Sequence, residues 1–199
     1  MYKLLTFLSL AFIFVSCTKH EAVAHTSGSE GLKDSIVKSF TLPDLDGKNV
    51  SLSDFKSSKA IVLMFISTQC PVSNDYNARM AAINNDYAAK GVTFLGINSN
   101  KAEEVAEIKE HAAKNGFKFT ILKDKGNVVA DQLAASFTPE IYVLSSDLKL
   151  LYHGRIDDKR RVDEVTTSDL KNALDEILAG KPVSVGKTKA FGCTIKRVN

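Results

Sequence analysis

The 199-residue sequence is poor in the features that would give it a disulfide scaffold, a nucleic-acid groove or a membrane-spanning helix. It has three cysteines, Cys17, Cys70 and Cys193, too few for a disulfide-stapled framework in a chain of this length. Three is also an odd number, so at least one thiol stands outside any intramolecular bridge. Lys plus Arg number 26 against 23 Asp plus Glu, a formal charge of +3. That surplus is too slight to imply a nucleic-acid groove, which needs basic residues clustered on one face. No apolar run reaches the roughly 20 residues of a spanning helix, and there is neither an internal repeat nor a low-complexity tract. What remains is a chain with 44% hydrophobic and 25% charged residues, the content of one ordinary globular domain with tails.

The first seventeen residues, MYKLLTFLSLAFIFVSC, begin with one lysine and continue as a short apolar stretch, which is the layout of a secretory signal. Ser16 directly before Cys17 resembles the lipobox of bacterial lipoprotein signals, although Phe14 stands where leucine is usual. The resemblance makes residues 1–17 a lipoprotein signal segment with Cys17 as its lipid-attachment residue. It places the chain in a bacterial cell envelope, facing away from the cytoplasm and held at a membrane surface by several acyl chains. An ordinary cleaved signal or an uncleaved anchor is the alternative. Residues 18–35 are polar and aperiodic and read as a flexible tether. His20 and His25 lie in it without a cysteine or carboxylate at ligand spacing, so no metal site is expected there.

Residues 36–183 carry the periodicities of a folded domain, and 184–199 form a tail that holds Cys193. Asp46-Gly47 between two alternating stretches predicts a β-hairpin over 39–52. The run Ala60 to Ile66 suits a central strand covered on both faces. Tyr76, Met80, Ile83 and Tyr87 mark one stripe of an amphipathic helix closed by Gly91. A second buried strand follows over 92–97. A helix through Val105, Ile108 and Ala112 leads to a strand over 117–122 and a short helix over 128–136. Ile141–Leu144 and Leu148–Tyr152 read as an antiparallel hairpin, and Leu170, Leu174, Ile177 and Leu178 as a last helix with Ser168 as N-cap. Alternating strands and helices followed by a hairpin and a helix give an α/β fold, a mixed β-sheet flanked by helices on both faces.

Cys70 falls where the buried strand turns into the first long helix, and Pro71 suits the first helical position. Unpaired backbone N–H groups and the positive end of the helix favour a thiolate over a thiol there. A thiolate is the nucleophile of both disulfide exchange and peroxide reduction. A buried inert cysteine at a strand end is the competing reading.

At these residues the chain resembles the thioredoxin-like superfamily, in the redoxin branch that includes the AhpC/TSA domain, peroxiredoxins and membrane-anchored thiol-disulfide oxidoreductases. The resemblance runs from about Ser39 to Lys181. It implies a thioredoxin-like fold with an N-terminal hairpin, and it implies that Pro139 of Thr138-Pro139 follows a cis bond and packs beside Cys70. Three departures bear on the subfamily. Ser73 stands where Cys-x-x-Cys has its second thiol. Leu63 and Ser67 stand where peroxiredoxins have Pro and Thr, although the Ser67 hydroxyl is still able to donate to a peroxide oxygen or to the thiolate. Ile66 stands where copper-carrying relatives have a cysteine, which disfavours a copper site. Three segments are similar to a bacterial group of redoxin-domain proteins: Cys70-Pro71 through Tyr76 and Arg79-Met80; Gly154-Arg155-Ile156-Asp157-Asp158; and Gly192-Cys193-Thr194-Ile195.

With Cys17 lipidated, Cys193 is the one thiol left to resolve Cys70 by folding the tail back across the sheet. An exposed, incidental tail cysteine is the alternative. Arg79 and Arg155 each favour a thiolate if they approach Cys70, and otherwise belong to the solvated surface; Asp157 to Arg161 reads as a solvated charged loop. The expected function is a lipid-anchored thiol oxidoreductase with Cys70 as nucleophile, Cys193 resolving, and Ser67, Thr138 and Pro139 shaping the site. Its partners are protein or small-molecule thiols and disulfides, or a peroxide. A peroxiredoxin-type peroxidase and a non-catalytic binding module are the alternatives, and no cofactor is called for.

Overall fold

A computed structural model gives the fold and describes Met1 and residues 35–198. The expected hairpin is formed by β1 (Thr41–Pro43) and β2 (Asn49–Ser51), paired antiparallel. Its turn is held by the Asp44 carboxylate, which accepts the backbone N–H groups of Asp46 and Lys48, both at 2.9 Å, and Gly47 supplies the positive φ of 83°.

The apolar run becomes β3 (Ala60–Phe65), buried along its whole length. Ala60, Val62 and Met64 face one core, and Ile61, Leu63 and Phe65 face the other. Each large side chain so buried contributes about 1.5–3 kcal/mol relative to exposure. After β3 the chain turns at Cys70 into α1 (Pro71–Asp75) and α2 (Asn77–Ala88). The predicted stripe of Tyr76, Met80, Ile83 and Tyr87 is buried against the sheet.

Then come β4 (Val92–Asn98), α3 (Val105–Lys114), β5 (Thr120–Lys123) and α4 (Val128–Gln132). They are followed by β6 (Phe137–Thr138), β7 (Glu140–Leu144), β8 (Leu150–Gly154), α5 (Asp169–Leu178) and β9 (Cys193–Thr194). The main sheet runs in the order β5-β4-β3-β7-β8. β3 pairs parallel with β4 and β4 with β5, whereas β7 runs antiparallel to both β3 and β8. Parallel neighbours require a crossover; α1 with α2, and then α3, supply them. One face of the sheet packs against α2, α5 and Ile108 of α3. The other packs against α4 and the N-terminal hairpin region, through Leu42, Leu52, Val129 and Ala130.

Four local expectations change. The strand expected from Phe117 begins at Thr120, because the rings of Phe117 and Phe119 stack on each other with centroids 4.7 Å apart before the ladder starts. The helix expected over 128–136 stops at Gln132, and Ala134 takes a positive φ of 54°. Ser168 stands at the N-cap of α5 but its hydroxyl makes no capping hydrogen bond. The tail, expected to have little to bury it, is docked along the domain with Ala190 and Ile195 buried.

Candidate active site

Cys70 occupies the N-cap of α1, with Pro71 as first helical residue, and its Sγ accepts the Ser73 N–H at 3.2 Å. The loop leading into it is held from below by Ser67. The Ser67 Oγ accepts the N–H groups of Cys70 at 3.0 Å and Gln69 at 3.2 Å, and donates its proton to Glu103. That hydroxyl proton is therefore committed to a carboxylate, and the expected donation from Ser67 to a peroxide oxygen or to the sulfur is not available in this arrangement. Ser73, standing where a second motif thiol would be, is fully buried and its Oγ accepts the Ser67 N–H at 3.2 Å.

Glu103 is the residue that the sequence reading missed. It is 2% exposed and takes hydrogen bonds from Ser67 Oγ, Thr68 N at 2.8 Å, Gln69 N at 3.4 Å and Asn98 Nδ2 at 2.5 Å. Lys123 braces the same loop, donating to Asn98 Oδ1, Asn100 O and Glu103 O at 2.7–2.8 Å. The available signal was topological: β3 and β4 are parallel neighbours, so the polar stretch after β4 lies beside the one after β3, outside the carboxyl ends of the strands.

From the other side comes the segment before β7. The Thr138–Pro139 bond is cis, and the Thr138 carbonyl oxygen lies 3.3 Å from Cys70 Sγ, where it accepts the thiol proton. β6 pairs antiparallel with β9, and Thr138 stands opposite Cys193. This register brings the two thiols together, with the Cys193 thiol and backbone N–H near enough to the Cys70 sulfur to favour its thiolate. Both cysteines are free. Burial opposes ionisation of Cys70, but the donors of Cys193, of the Thr138 side chain and of the Ser73 N–H, which favour the thiolate, outweigh it, so its pKa falls below the ordinary 9.0. Burial raises the pKa of Cys193 above 9.0, and its bond to the Cys70 sulfur and that sulfur's charge raise it further, against the Val72 N–H and Lys196. One thiol is poised to ionise and its neighbour to keep its proton.

The tail reaches this place because it is fastened on both sides of Cys193. Upstream, His153 N donates to Gly186 O at 3.0 Å, and Thr188 N to His153 O at 2.9 Å. The Thr188 hydroxyl lies 2.8 Å from Tyr152 Oη. Gly154 permits this approach: a Cβ there would stand 2.6 Å from Thr188 O. Downstream, Lys101 N donates to Lys196 O at 2.9 Å, Lys196 N to Asn100 Oδ1 at 2.8 Å and Val198 N to Asn127 Oδ1 at 2.7 Å. A cleft of about 210 Å³ remains open beside the sulfurs, lined by Ser67, Cys70, Asn100, Glu103, Cys193 and Lys196 among others.

Neither arginine considered for the thiolate stays on the solvated surface or reaches Cys70. Arg79 lies over the Tyr76 ring and binds the buried Asp157 at 2.7 Å; Arg155 binds Asp169 at 2.7 Å. Asp157, expected in a solvated loop, is 4% exposed and also accepts from Tyr76 Oη at 3.0 Å. The remaining arginines, 160, 161 and 197, are likewise paired to carboxylates. Cys17, His20 and His25 lie outside the described residues, and no described helix is long and apolar enough to cross a membrane.

A mixed five-stranded sheet with a helix-capping thiol facing a cis-proline segment is the thioredoxin-like fold. The thioredoxin domain of a thiol-disulfide oxidoreductase from Bacteroides vulgatus shares it, with a TM-score of 0.53 at 21% identity over 60% of this chain and 85% of that one. The chain belongs to the AhpC/TSA family, whose model matches residues 34–153. A hypothetical protein from Sinorhizobium meliloti is similar in structure, with a TM-score of 0.78 and 33% identity over 82% of this chain and 93% of that one. Among curated relatives, chloroplastic peroxiredoxin Q of Gentiana triflora is 27% identical over 66% of this chain; the match spans 64% of that protein's length. The family match ends before Cys193.

Proposed function

We propose that the protein is a thiol oxidoreductase in which Cys70 is the nucleophile and Cys193 the resolving thiol. The observation that carries this reading is the Thr138–Cys193 register, which sets the Cys193 thiol beside the Cys70 sulfur at one cleft. In the first step the Cys70 thiolate attacks one sulfur of a substrate disulfide, that S–S bond breaks, and a thiolate leaves. In the second, Cys193 gives up its proton and attacks the Cys70 sulfur, expelling the other substrate thiol. Two electrons pass from the cysteine pair to the substrate, and the pair ends as a disulfide. Thr138, Pro139 and Ser67 act by position, holding the sulfur, the facing backbone and the loop N–H groups.

The similarity to peroxiredoxin Q favours a second reading, a thiol-dependent peroxidase. There the Cys70 thiolate takes one oxygen of a hydroperoxide to become sulfenic acid, and Cys193 condenses with it, releasing water. Either reaction returns to the dithiol by reduction with an external thiol. Non-reducing peptide mapping after mild oxidation tests the shared core: a Cys70–Cys193 cross-link is expected, and two separately alkylatable thiols would sink the reading. The lipid anchor is proposed on the signal-like segment and Ser16-Cys17. Its test is the mass of the mature chain, which should carry acyl groups on Cys17 and shift to an unmodified form in Cys17→Ser.

A further inference from the structure

The backbone edge beside Cys70 is already occupied. Phe137 and Thr138 are the strand residues that lead into Pro139, and their antiparallel partners are Thr194 and Cys193 of the chain's own tail. A polypeptide docks on a sheet edge through unpaired main-chain groups, and here β9 fills that edge, with hydrogen bonds fastening the tail on both sides of it. Cys70 itself is only 3% exposed. A disulfide held in a folded protein reaches such a sulfur only if the tail is displaced. What stays open is the cleft of about 210 Å³, below the range of about 300–1,000 Å³ typical of pockets for drug-sized ligands.

The lining chemistry narrows the choice among small oxidants. Polarising a peroxide O–O bond is work for a hydroxyl or guanidinium donor near the sulfur, beyond the Cys193 and Ser73 groups already turned to the sulfur itself. The Ser67 proton is given to Glu103, and all five arginines are held by carboxylates elsewhere. Opening a disulfide needs a thiolate, which the site favours, and a leaving group that takes up a proton, which Cys193 holds. Lys196 lines the cleft; its ammonium acts on Cys193 through charge, and among the described residues its one hydrogen bond is to the Thr194 hydroxyl, at 3.4 Å. We propose that the site takes a low-molecular-weight disulfide bearing a carboxylate, seated with its anionic group toward Lys196, and that the docked tail excludes protein disulfides. This rests on the Cys70–Cys193 pair acting as the dithiol described above: the pair is oxidised to its disulfide and RSSR leaves as two RSH.

The test uses the full reduced chain, mixed in turn with cystine, cystine dimethyl ester, insulin and hydrogen peroxide. Formation of the Cys70–Cys193 disulfide is timed by quenched mass mapping, and each rate is divided by that of free dithiothreitol with the same oxidant. Cystine is expected to exceed insulin by at least about tenfold. It should exceed its dimethyl ester by about two- to fivefold, and Lys196→Gln should bring the ratio of the two rates to about one, whatever it does to their common pace. Insulin matching cystine overturns the exclusion of proteins, and an ester as fast as cystine overturns the carboxylate contact. Hydrogen peroxide closing the pair while cystine does not overturns the proposal but leaves the resolving pair intact. Failure of every oxidant to link Cys70 with Cys193 defeats the functional reading itself.

Discussion

Gly192 passes against Thr138 so closely that a Cβ on it would stand 2.7 Å from the Thr138 carbonyl carbon and nearer still to its oxygen. The obstacle is backbone, so it cannot rotate away. The preceding residue of the tail thereby fixes how near Cys193 comes to Cys70. Gly192→Ala is expected to push β9 off β6, with a cost of about 1–3 kcal/mol from overpacking. Closure of the Cys70–Cys193 disulfide should slow by about tenfold or more even where the variant is fully folded. Near-normal closure in a folded variant would show that the tail reaches Cys70 without this register.

Hydrogen bonds from Cys193 help hold the Cys70 pKa below 9.0. Cys193→Ala removes the thiol donor, so the pH midpoint of Cys70 alkylation should rise toward the ordinary value. The same shift has a sign in stability. Cys70 titrates lower in the folded than in the unfolded chain, so the reduced fold gains stability as pH rises from that lowered value to about 9, and loses it as pH falls through it. Cys193, raised above 9.0, contributes fully below 9.0 and loses its contribution as pH climbs through its folded value. Denaturant unfolding of reduced wild type minus Cys70→Ala should therefore show a difference that grows as pH rises toward about 9. A flat difference would contradict it.

Glu103 accepts two donors on each carboxylate oxygen. Glu103→Gln keeps the size but turns an NH2 group toward two of those donors. Leaving them unsatisfied should cost about 1–3 kcal/mol. The Ser67–Cys70 loop should loosen, seen as faster amide exchange at Gln69 and Cys70. Glu103→Asp keeps the charge and loses reach, and should recover less than half of the loss if reach is what matters. Unchanged exchange at Gln69 and Cys70 in both variants would remove Glu103 from the support of the site.

Arg79 and Asp157 join α2 to the segment after β8, with side chains 15% and 6% exposed. Arg79→Ala leaves a buried carboxylate with Tyr76 and is expected to cost about 3 kcal/mol, within the range for breaking a buried pair. Because Arg79 is turned away from Cys70, the alkylation midpoint of Cys70 should not move in the folded variant. A midpoint raised along with the lost stability would place Arg79 back among the groups that serve the thiolate.

These residues also show what could be read before the fold was known. The local pieces were legible: the run that became β3, the stripe of Tyr76, Met80, Ile83 and Tyr87, and Cys70 before Pro71 at a helix start. Each is written in neighbouring residues as a period, a cap or a turn, so no distant partner is needed to recognise it. The cis bond at Pro139 entered only through family resemblance, since a proline before a strand reads the same in either form. Other outcomes were not legible at all. Glu103 looked like one acid among several in a polar stretch, and Arg79 and Asp157 looked like solvated charges. Their roles depend on which strand ends lie side by side and on what a helix meets across the sheet.

The sequence by itself determined that a thiolate-prone cysteine sits at a strand-to-helix turn in an α/β domain, because hydrophobic period and helix-end chemistry are local. Only the tertiary structure decided that Cys193 is its neighbour, that Ser67 serves Glu103, and that the arginines serve other carboxylates. Those pairings follow from sheet order, strand register and the close pass of Gly192 beside Thr138, none of which has a signature within any single stretch of chain.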